Sequence, residues 1–526
     1  MPVTSLLTSL ENFNGSPTFV SNNSRYGGGQ GASQNTDIIR EGSGSGGRRA
    51  DNTTTGGLGT SFTAADLSKA NTHLKMWVFV TQWASVNSLG IVIASGSASS
   101  AGDIHTLPTA EFPVNGGFIP VWVDVSRAAD SGGPANEAAI NEAGVQVNIG
   151  DVGGNAQNII IDEILYGDSG LRWSGTGGAF SDFRSFEDTN AVGCLNTING
   201  VDFLNARIEI TTAAALGTVF SDSNFTIVSP DQGLVSSTFM GISVDLTNSG
   251  TTVAWTGGTL QSSNVTGATN RPDLLVTNSS GAFNLTNCNI LGARLAQFTS
   301  GVTFDGGILD ALSITQAGAN IKNCSINTRS ASGVACFTDT DPTFGSTTGI
   351  HDVTFMQEGS GHAFELTTVN GSVTLTNIQF DGYGADTTNS AAVYVSAATG
   401  TTTINISGGD TPTVRSAGAT VAINNAVTVK VTALDADTLN PIQNARVLLE
   451  ADTGGPLSAG TDILSGVTNA SGIIQDTGFN FTSNQPVTGR VRRATASDGT
   501  LYKQGTITGT ITSAGFETTV ILIKDE

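Results

Sequence analysis

Charge is scarce in this chain of 526 residues, where 22 Lys and Arg face 44 Asp and Glu and together make only 13% of the sequence. A typical globular chain carries about 25% charged residues. The net charge of −22 argues against a phosphate-backbone ligand, so no nucleic-acid partner is expected. Four cysteines (Cys194, Cys288, Cys324, Cys336) are too few and too scattered for a disulfide framework. They read as buried thiols of a chain made in a reducing cytoplasm. The four histidines lie too far from the cysteines to suggest zinc, and neither metal nor cofactor is expected. Five Trp and five Tyr are thin provision for a sugar-stacking groove. Met1 to Phe13 show no basic segment or continuous apolar core, and no run of about 18 apolar residues occurs. Neither an export signal nor membrane insertion is expected. Helical periodicity is almost missing: only Ala64 to Ala70 and Asn136 to Ala143 could make a few turns.

What the chain has is glycine, 66 residues of it, and 38% hydrophobic residues, enough core for several domains. At about 150 residues per domain, three or four units are expected. Short Val/Ile/Thr/Phe segments alternate with Gly, Asn, Asp and Ser clusters throughout, the punctuation of tight turns. The fold class is therefore all-β.

Up to residue 190 the strands are long: Lys75 to Gln82, Leu89 to Ala94, Phe118 to Val125 and Asn158 to Tyr166. Long strands at wide spacing suggest a two-sheet sandwich. Asp66-Leu-Ser68 before a Trp-bearing strand, then Trp122-Val-Asp124 and Ile161-Asp-Glu-Ile164, resembles the concanavalin-like jelly roll. That resemblance implies carbohydrate or calcium binding through edge loops, although no binding residue can be matched. The Gly/Ser/Asn-rich stretch Ser21 to Gly59, with Arg48-Arg49, reads as loops of this sandwich or as a flexible docking arm, and loops are favoured because Asp37 to Arg40 inside it reads as a strand.

From 191 to 425 a hexad recurs, with apolar residues at positions one and six and Asn, Asp or Gly at position three. Examples start at Ile198, Leu285, Ile321, Ile350 and Leu375. In a straight strand, positions one and six face opposite sides. A bend at position three turns both inward, and Asn, Asp and Gly tolerate the left-handed backbone such a bend needs. Asn287, Asn323 and Asn377 are separated by 36 and 54 residues, multiples of 18, and Thr303 to Ile308 falls at the missing step. Repeated corners mean stacked coils. The pattern resembles the right-handed parallel β-helix of pectin-lyase-like proteins. From 426 to 526, alternating strands Val427 to Ala433, Pro441 to Leu449 and Thr518 to Ile523, with Val467 to Ile473 between, indicate a small antiparallel sandwich. It resembles carboxypeptidase-regulatory-like or transthyretin-like modules.

Pectin-lyase-like helices include polysaccharide hydrolases and lyases, so the carboxylates Asp305, Asp310, Asp352, Glu358 and Glu365 are the candidate catalytic residues. A glycosidase needs two, about 5 to 9.5 Å apart, and neighbouring rungs lie about 4.8 Å apart. Against this, Asp305 and Asp352 occupy the bend position held by Asn elsewhere, which makes them corner formers. His351 and His362 bracket Glu358 without metal-ligand spacing. Asp435-Ala-Asp437 reads as a strand-to-turn transition, and Arg490-Val-Arg-Arg493 as a solvated strand face or a contact to an acidic partner.

The series jelly roll, β-helix, sandwich resembles bacteriophage virion proteins of the tailspike, tail-fibre or capsid-appendage kind. The resemblance implies a homotrimer located in the virion, synthesised in the host cytoplasm, touching other tail or capsid proteins and a host surface glycan, and the lack of a convincing catalytic constellation in the sequence points to attachment without catalysis. A polysaccharide-depolymerising tailspike and a bacterial surface adhesin are the alternatives.

Overall fold

The computed structural model describes residues 3–20, 23–26, 32–40, 42–50, 55–69, 72–96, 102–107, 117–133, 135–150, 157–212, 216–230, 235, 239–263, 271–278, 280–339, 349–367, 371–481, 483–494 and 499–525. The protein is nearly all β and divides into two compact units: residues 1–303 with 310–312, and residues 304–309 with 313–526.

The first unit begins with an antiparallel sandwich. One sheet orders Gly117–Asp124, His73–Val80, Gln157–Gly167, Ser45–Ala50 and Ser33–Asn35; the other orders Ser131–Gly132, Asp103–Leu107, Val86–Ala94, Ile140–Ile149, Thr55–Ala65 and Thr18–Val20. Met76, Val78, Val121, Ile161 and Ile164 from one sheet meet Leu58, Ile91, Ile93, Val145 and Val147 from the other. Each fully buried aliphatic side chain contributes about 1.5–3 kcal/mol. The segment Asp37 to Arg40 is a bend rather than a strand, because Asn35 Oδ1 accepts the N–H groups of Asp37 and Ile38 at 2.8 Å and closes an Asx turn. The neighbouring strand is Ser45–Ala50, whose buried Arg48 donates to the carbonyl of Gly57 at 2.6 Å.

Parallel pairing begins at Leu171–Ser174, ahead of residue 191. That strand pairs with Ile208–Thr211, which continues to Gly241–Asp245 and Asp273–Thr277. Ile208, Ile242 and Leu274 stack in register inside, as do Ile210, Val244 and Val276. Two further columns complete the coil: Gly217–Ser223 under Thr251–Thr256, and Thr226–Ser229 under Thr259–Ser262. The helix Phe180–Asn190 plugs this interior, with Phe180 at 5.2, 4.6 and 5.5 Å from the rings of Phe220, Phe225 and Trp255. Phe180, Phe183 and Glu187 make its buried face at helical spacing. The two stretches that read as helical behave otherwise: Ala64 and Ala65 end the strand Thr55–Ala65 and Asp66 to Lys69 form no helix, Ala70 lying outside the described residues, while Asn136 to Ala143 holds a single 3-10 turn, Glu137–Ala139, before the strand Ile140–Ile149.

The second unit has a coil pattern of its own in Asn320–Thr328, Ile350–Gln357, Ser372–Asp381, Thr401–Gly409 and Thr420–Asp435, paired in parallel. The first part of Thr420–Asp435 closes the last coil, and its second part enters the terminal sandwich, pairing with Ile473–Asn480 and Phe516–Leu522.

The hexad is a corner. Asn287, Asn323, Asp352 and Asn377 have φ of 51°, 53°, 53° and 48°, the left-handed region, and Leu285, Ile290, Ile321, Ile326, Ile350 and Phe355 are all buried. Register aligns Asn323 with Asp352, Asp352 with Asn377, and Asn377 with Gly408, which has φ of 78°. Two hexads depart from this. At Ile198 the Asn199-Gly200 pair forms an antiparallel hairpin, because both residues have positive φ as a type I′ turn demands. In Thr303 to Ile308 the left-handed residues are Gly306 and Gly307 rather than Asp305, glycine taking that conformation without steric cost. The repeat is not 18 residues either: Cys324 pairs with Val353, 29 residues on, and Val353 with Ile378, 25 on. The 18-residue step survives between Asp305 and Asn323, where Asn323 Nδ2 donates to Asp305 Oδ1 at 2.7 Å.

Asn323→Val forces a β-branched residue into the left-handed region and removes that hydrogen bond, an expected loss of about 2 kcal/mol. Asn323→Gly is expected to lose less than half as much. Urea unfolding of both variants checks this, and equal losses would sink the corner account.

Candidate functional site

The structure brings together only two of the five candidate carboxylates. Asp305 and Asp352 stand on the rungs either side of Asn323, so their backbones lie about two strand spacings, ~9.6 Å, apart. The position between them is filled by Asn323. Asp305 accepts from Asn323 and faces Lys322 Nζ at 3.4 Å. Asp352 accepts from Asn377 Nδ2 at 2.8 Å and meets His351 Nδ1 at 2.6 Å. The Asn377 and His351 bonds hold its carboxyl below the usual carboxylate range, the reverse of what an acid that must donate a proton needs. Asp310 is buried and accepts the Gly292 N–H at 3.1 Å. Glu358 is exposed in the turn after Ile350–Gln357, and Glu365 is half-buried on His362–Leu366.

His362 is buried under Tyr394, ring centroids 5.1 Å apart, and pairs through Nδ1 with the Ala391 carbonyl. Among the described residues no three His, Cys, Asp or Glu side chains converge as a metal site would. Asp435 accepts the N–H groups of Asp437 and Thr438 and the hydroxyl of Tyr502, a turn-forming carboxylate held well below its usual range chiefly by Tyr502. All four cysteines are free and buried, and burial pushes the Cys324 thiol up to about 12.

A groove that the sequence reading did not single out lies in the first unit. It measures about 500 Å³ and has one apolar wall, Phe118, Ile119 and Pro120, facing Arg40, Asp188, Asn196 and Thr197. The wall comes from the long strand Gly117–Asp124, and the polar side from the helix and the Asn199-Gly200 hairpin. Arg184, also in the lining, is fixed by Asp202, which takes both Nε and Nη2 at 2.7 to 3.0 Å and accepts the Thr197 hydroxyl at 2.7 Å. Arg184 Nη1 has no partner among the described residues. Arg40 lies over the Trp77 ring, its Cζ 4.6 Å from the centroid, and its backbone N–H is held by Asp162.

Beneath the groove is a buried ionic layer. Lys75, fully buried, reaches Glu163 at 3.0 Å and lies 4.6 Å from the Trp77 ring, while burial drives its ammonium below the ordinary lysine range. Glu187 accepts the N–H groups of Gly193, Cys194 and Leu195 at 2.7, 2.7 and 3.0 Å; burial still raises it above the usual carboxylate range. Trp77 Nε1 donates to the Ala191 carbonyl at 2.7 Å. The groove is thus floored by side chains locked in place, with planar cations, an amide, a hydroxyl and a carboxylate at its surface. That set can hydrogen-bond hydroxyls while a ring packs on Phe118 and Pro120.

No family model matches the chain, and no curated protein does. Among solved structures, a carbohydrate-binding module described as promiscuous, from the β-sandwich superfamily, is 11% identical over 31% of this chain and 56% of that one, with a TM-score of 0.18. The chain therefore spans about half the length of that protein. The family 11 carbohydrate-binding module of Clostridium thermocellum, in complex with a β-1,3-1,4-mixed-linked tetrasaccharide, is 17% identical over 30% of this chain and 94% of that one, TM-score 0.21. The catalytic domain of a GH87 alpha-1,3-glucanase in complex with nigerose is 11% identical over 84% and 89%, TM-score 0.20.

Proposed function

We propose that the chain is a non-catalytic attachment protein of a bacteriophage particle, a fibre, spike or capsid appendage that holds a host surface glycan. The groove of Arg40, Phe118, Pro120, Asp188, Asn196 and Thr197 carries this reading, because its donors and acceptors are exposed on a pre-organised floor. The ladder carboxylates support the absence of catalysis: Asp352 shapes a corner, and Asp305 and Asp352 are both engaged by neighbouring amide side chains. Self-association into a homotrimer and docking on other virion proteins belong to the same proposal.

The test presents purified host lipopolysaccharide or capsule polysaccharide to the full chain. Binding is expected, weakened about tenfold by Arg40→Ala with Asn196→Ala, with the glycan's length unchanged by size-exclusion chromatography. Light scattering should give a mass near three times 53.6 kDa. Shortening of the glycan, abolished by Asp305→Asn or Asp352→Asn, would instead establish the depolymerase alternative.

A further inference from the structure

The terminal sandwich turns one sheet outward with an unusual composition. Its strands run in the order Asp462–Val467, Arg446–Ala451, Gln485–Arg492, Gly505–Ile511. Val447, Leu449, Val487, Val491 and Ile507 point into the core, so alternation leaves Arg446, Leu448, Arg490 and Arg492 on the outer face. Register sets Arg446 directly opposite Arg492 and Leu448 opposite Arg490. Like charges directly opposite destabilise a sheet, and this pair sits in a chain with twice as many acids as bases. Arg492 reaches Asp525 at 3.3 Å; Arg446 and Arg490 have no ion pair among the described residues. Glu450, on the same face, lies further along, opposite Thr488. The three arginines edge a groove of about 520 Å³ whose apolar side chains are Leu448, Val467 and the small Ala494, Val467 being 54% exposed.

We propose that this groove binds an anionic glycan, its carboxylates on the arginines and a sugar face on Leu448 and Val467. The proposal goes beyond the attachment reading and does not rest on it. A guanidinium offers a planar fork that matches a carboxylate, and Arg490 and Arg492, two residues apart on one face of a strand, stand about 6.8 Å apart. Charges set a sugar apart suit that spacing. Duplex DNA, with one charge per about 1.7 Å, does not, and the lining has no aromatic ring on which bases could stack. A second copy of the chain is a poor occupant, since a stable interface buries about 800 Å² per partner around an apolar or aromatic centre and this groove has only Leu448, Val467 and the methyl of Ala494.

The experiment is calorimetric titration of the full chain, at low salt, with oligogalacturonate and with its carboxyl-reduced neutral counterpart. Oligogalacturonate is expected to bind, more weakly as salt rises, and about tenfold more weakly after Arg490→Gln. Arg446→Gln with Arg492→Gln should abolish binding while the circular dichroism spectrum stays unchanged, because all three side chains are exposed. The neutral oligomer should not bind. Absence of oligogalacturonate binding, equal binding of the two oligomers, or unchanged affinity in both variants would overturn the proposal. So would a fall in solution mass caused by the same substitutions, which would assign the groove to a second copy. Arg40→Ala with Asn196→Ala should leave this binding intact, so the two readings fail separately.

Discussion

Lys75→Ala is expected to destabilise the first unit by about 3–5 kcal/mol, the cost of leaving buried charge without its counter-ion. Lys75 is wholly buried against Trp77, and its removal strands Glu163 and deprives Glu187 of its nearby positive charge. The effect belongs to the broken pair rather than to the pair's net value. Replacing Lys75 with Met together with Glu163→Gln should therefore recover stability to within about 1 kcal/mol of the starting chain. Glu187 tolerates this because three backbone N–H groups already hold it. An exposed pair supplies the control: Lys69 with Asp168 should contribute no more than about 1 kcal/mol. Denaturant unfolding of the four proteins decides the matter, and a Lys75→Ala loss no larger than that of Lys69→Ala would refute the buried-layer account.

Trp255→Ala is expected to cost a similar amount, about 3–5 kcal/mol, by opening a cavity inside the first unit's coils. The ring is fully buried and touches Phe180, Phe225 and Phe283 at 5.5, 5.3 and 4.8 Å between centroids, so the plugging helix loses one of its ring contacts as well. Its Nε1 finds no hydrogen-bond partner among the described residues. Trp255→Phe removes that unsatisfied donor while keeping an aromatic face, and should cost well under half of the alanine loss. Thermal unfolding with near-ultraviolet dichroism would show both. Equal losses for Ala and Phe would refute the cavity account.

Much of the architecture was legible because it follows from short-range rules. Inward faces on both sides of Asn323 or Asp352 required a left-handed bend, and Asn and Asp supply one without help from distant residues. The same logic misled at Ile198, where Asn-Gly signals a hairpin more strongly than a corner. It misled again at Asp305, where the following glycines take the bend. The helix Phe180–Asn190 escaped notice because its buried face is three side chains among polar ones, one of them Glu187, whose burial depends on backbone donors six to eight residues away. The groove was illegible for a related reason. Phe118, Arg40 and Asn196 lie far apart in sequence and converge only through strand pairing and the packing of the helix, and neither leaves a local pattern. Asp305 and Asp352 could be read as corner residues or as catalysts from composition alone; only their partners, Asn323 and Asn377, separate the two.

The strand Thr420–Asp435, shared between the last coil and the terminal sandwich, has a mechanical consequence. Its second half runs parallel to the last strand of the chain, Phe516–Leu522, through seven aligned residues from Val429 to Asp435. Tension entering at the start of the shared strand and leaving at the C-terminus drags these two strands past one another lengthwise. Every cross-strand bond is then loaded at once instead of being peeled open in sequence. With no flexible linker between coil and sandwich, the joint should behave as a stiff tie bar, giving way abruptly at high force.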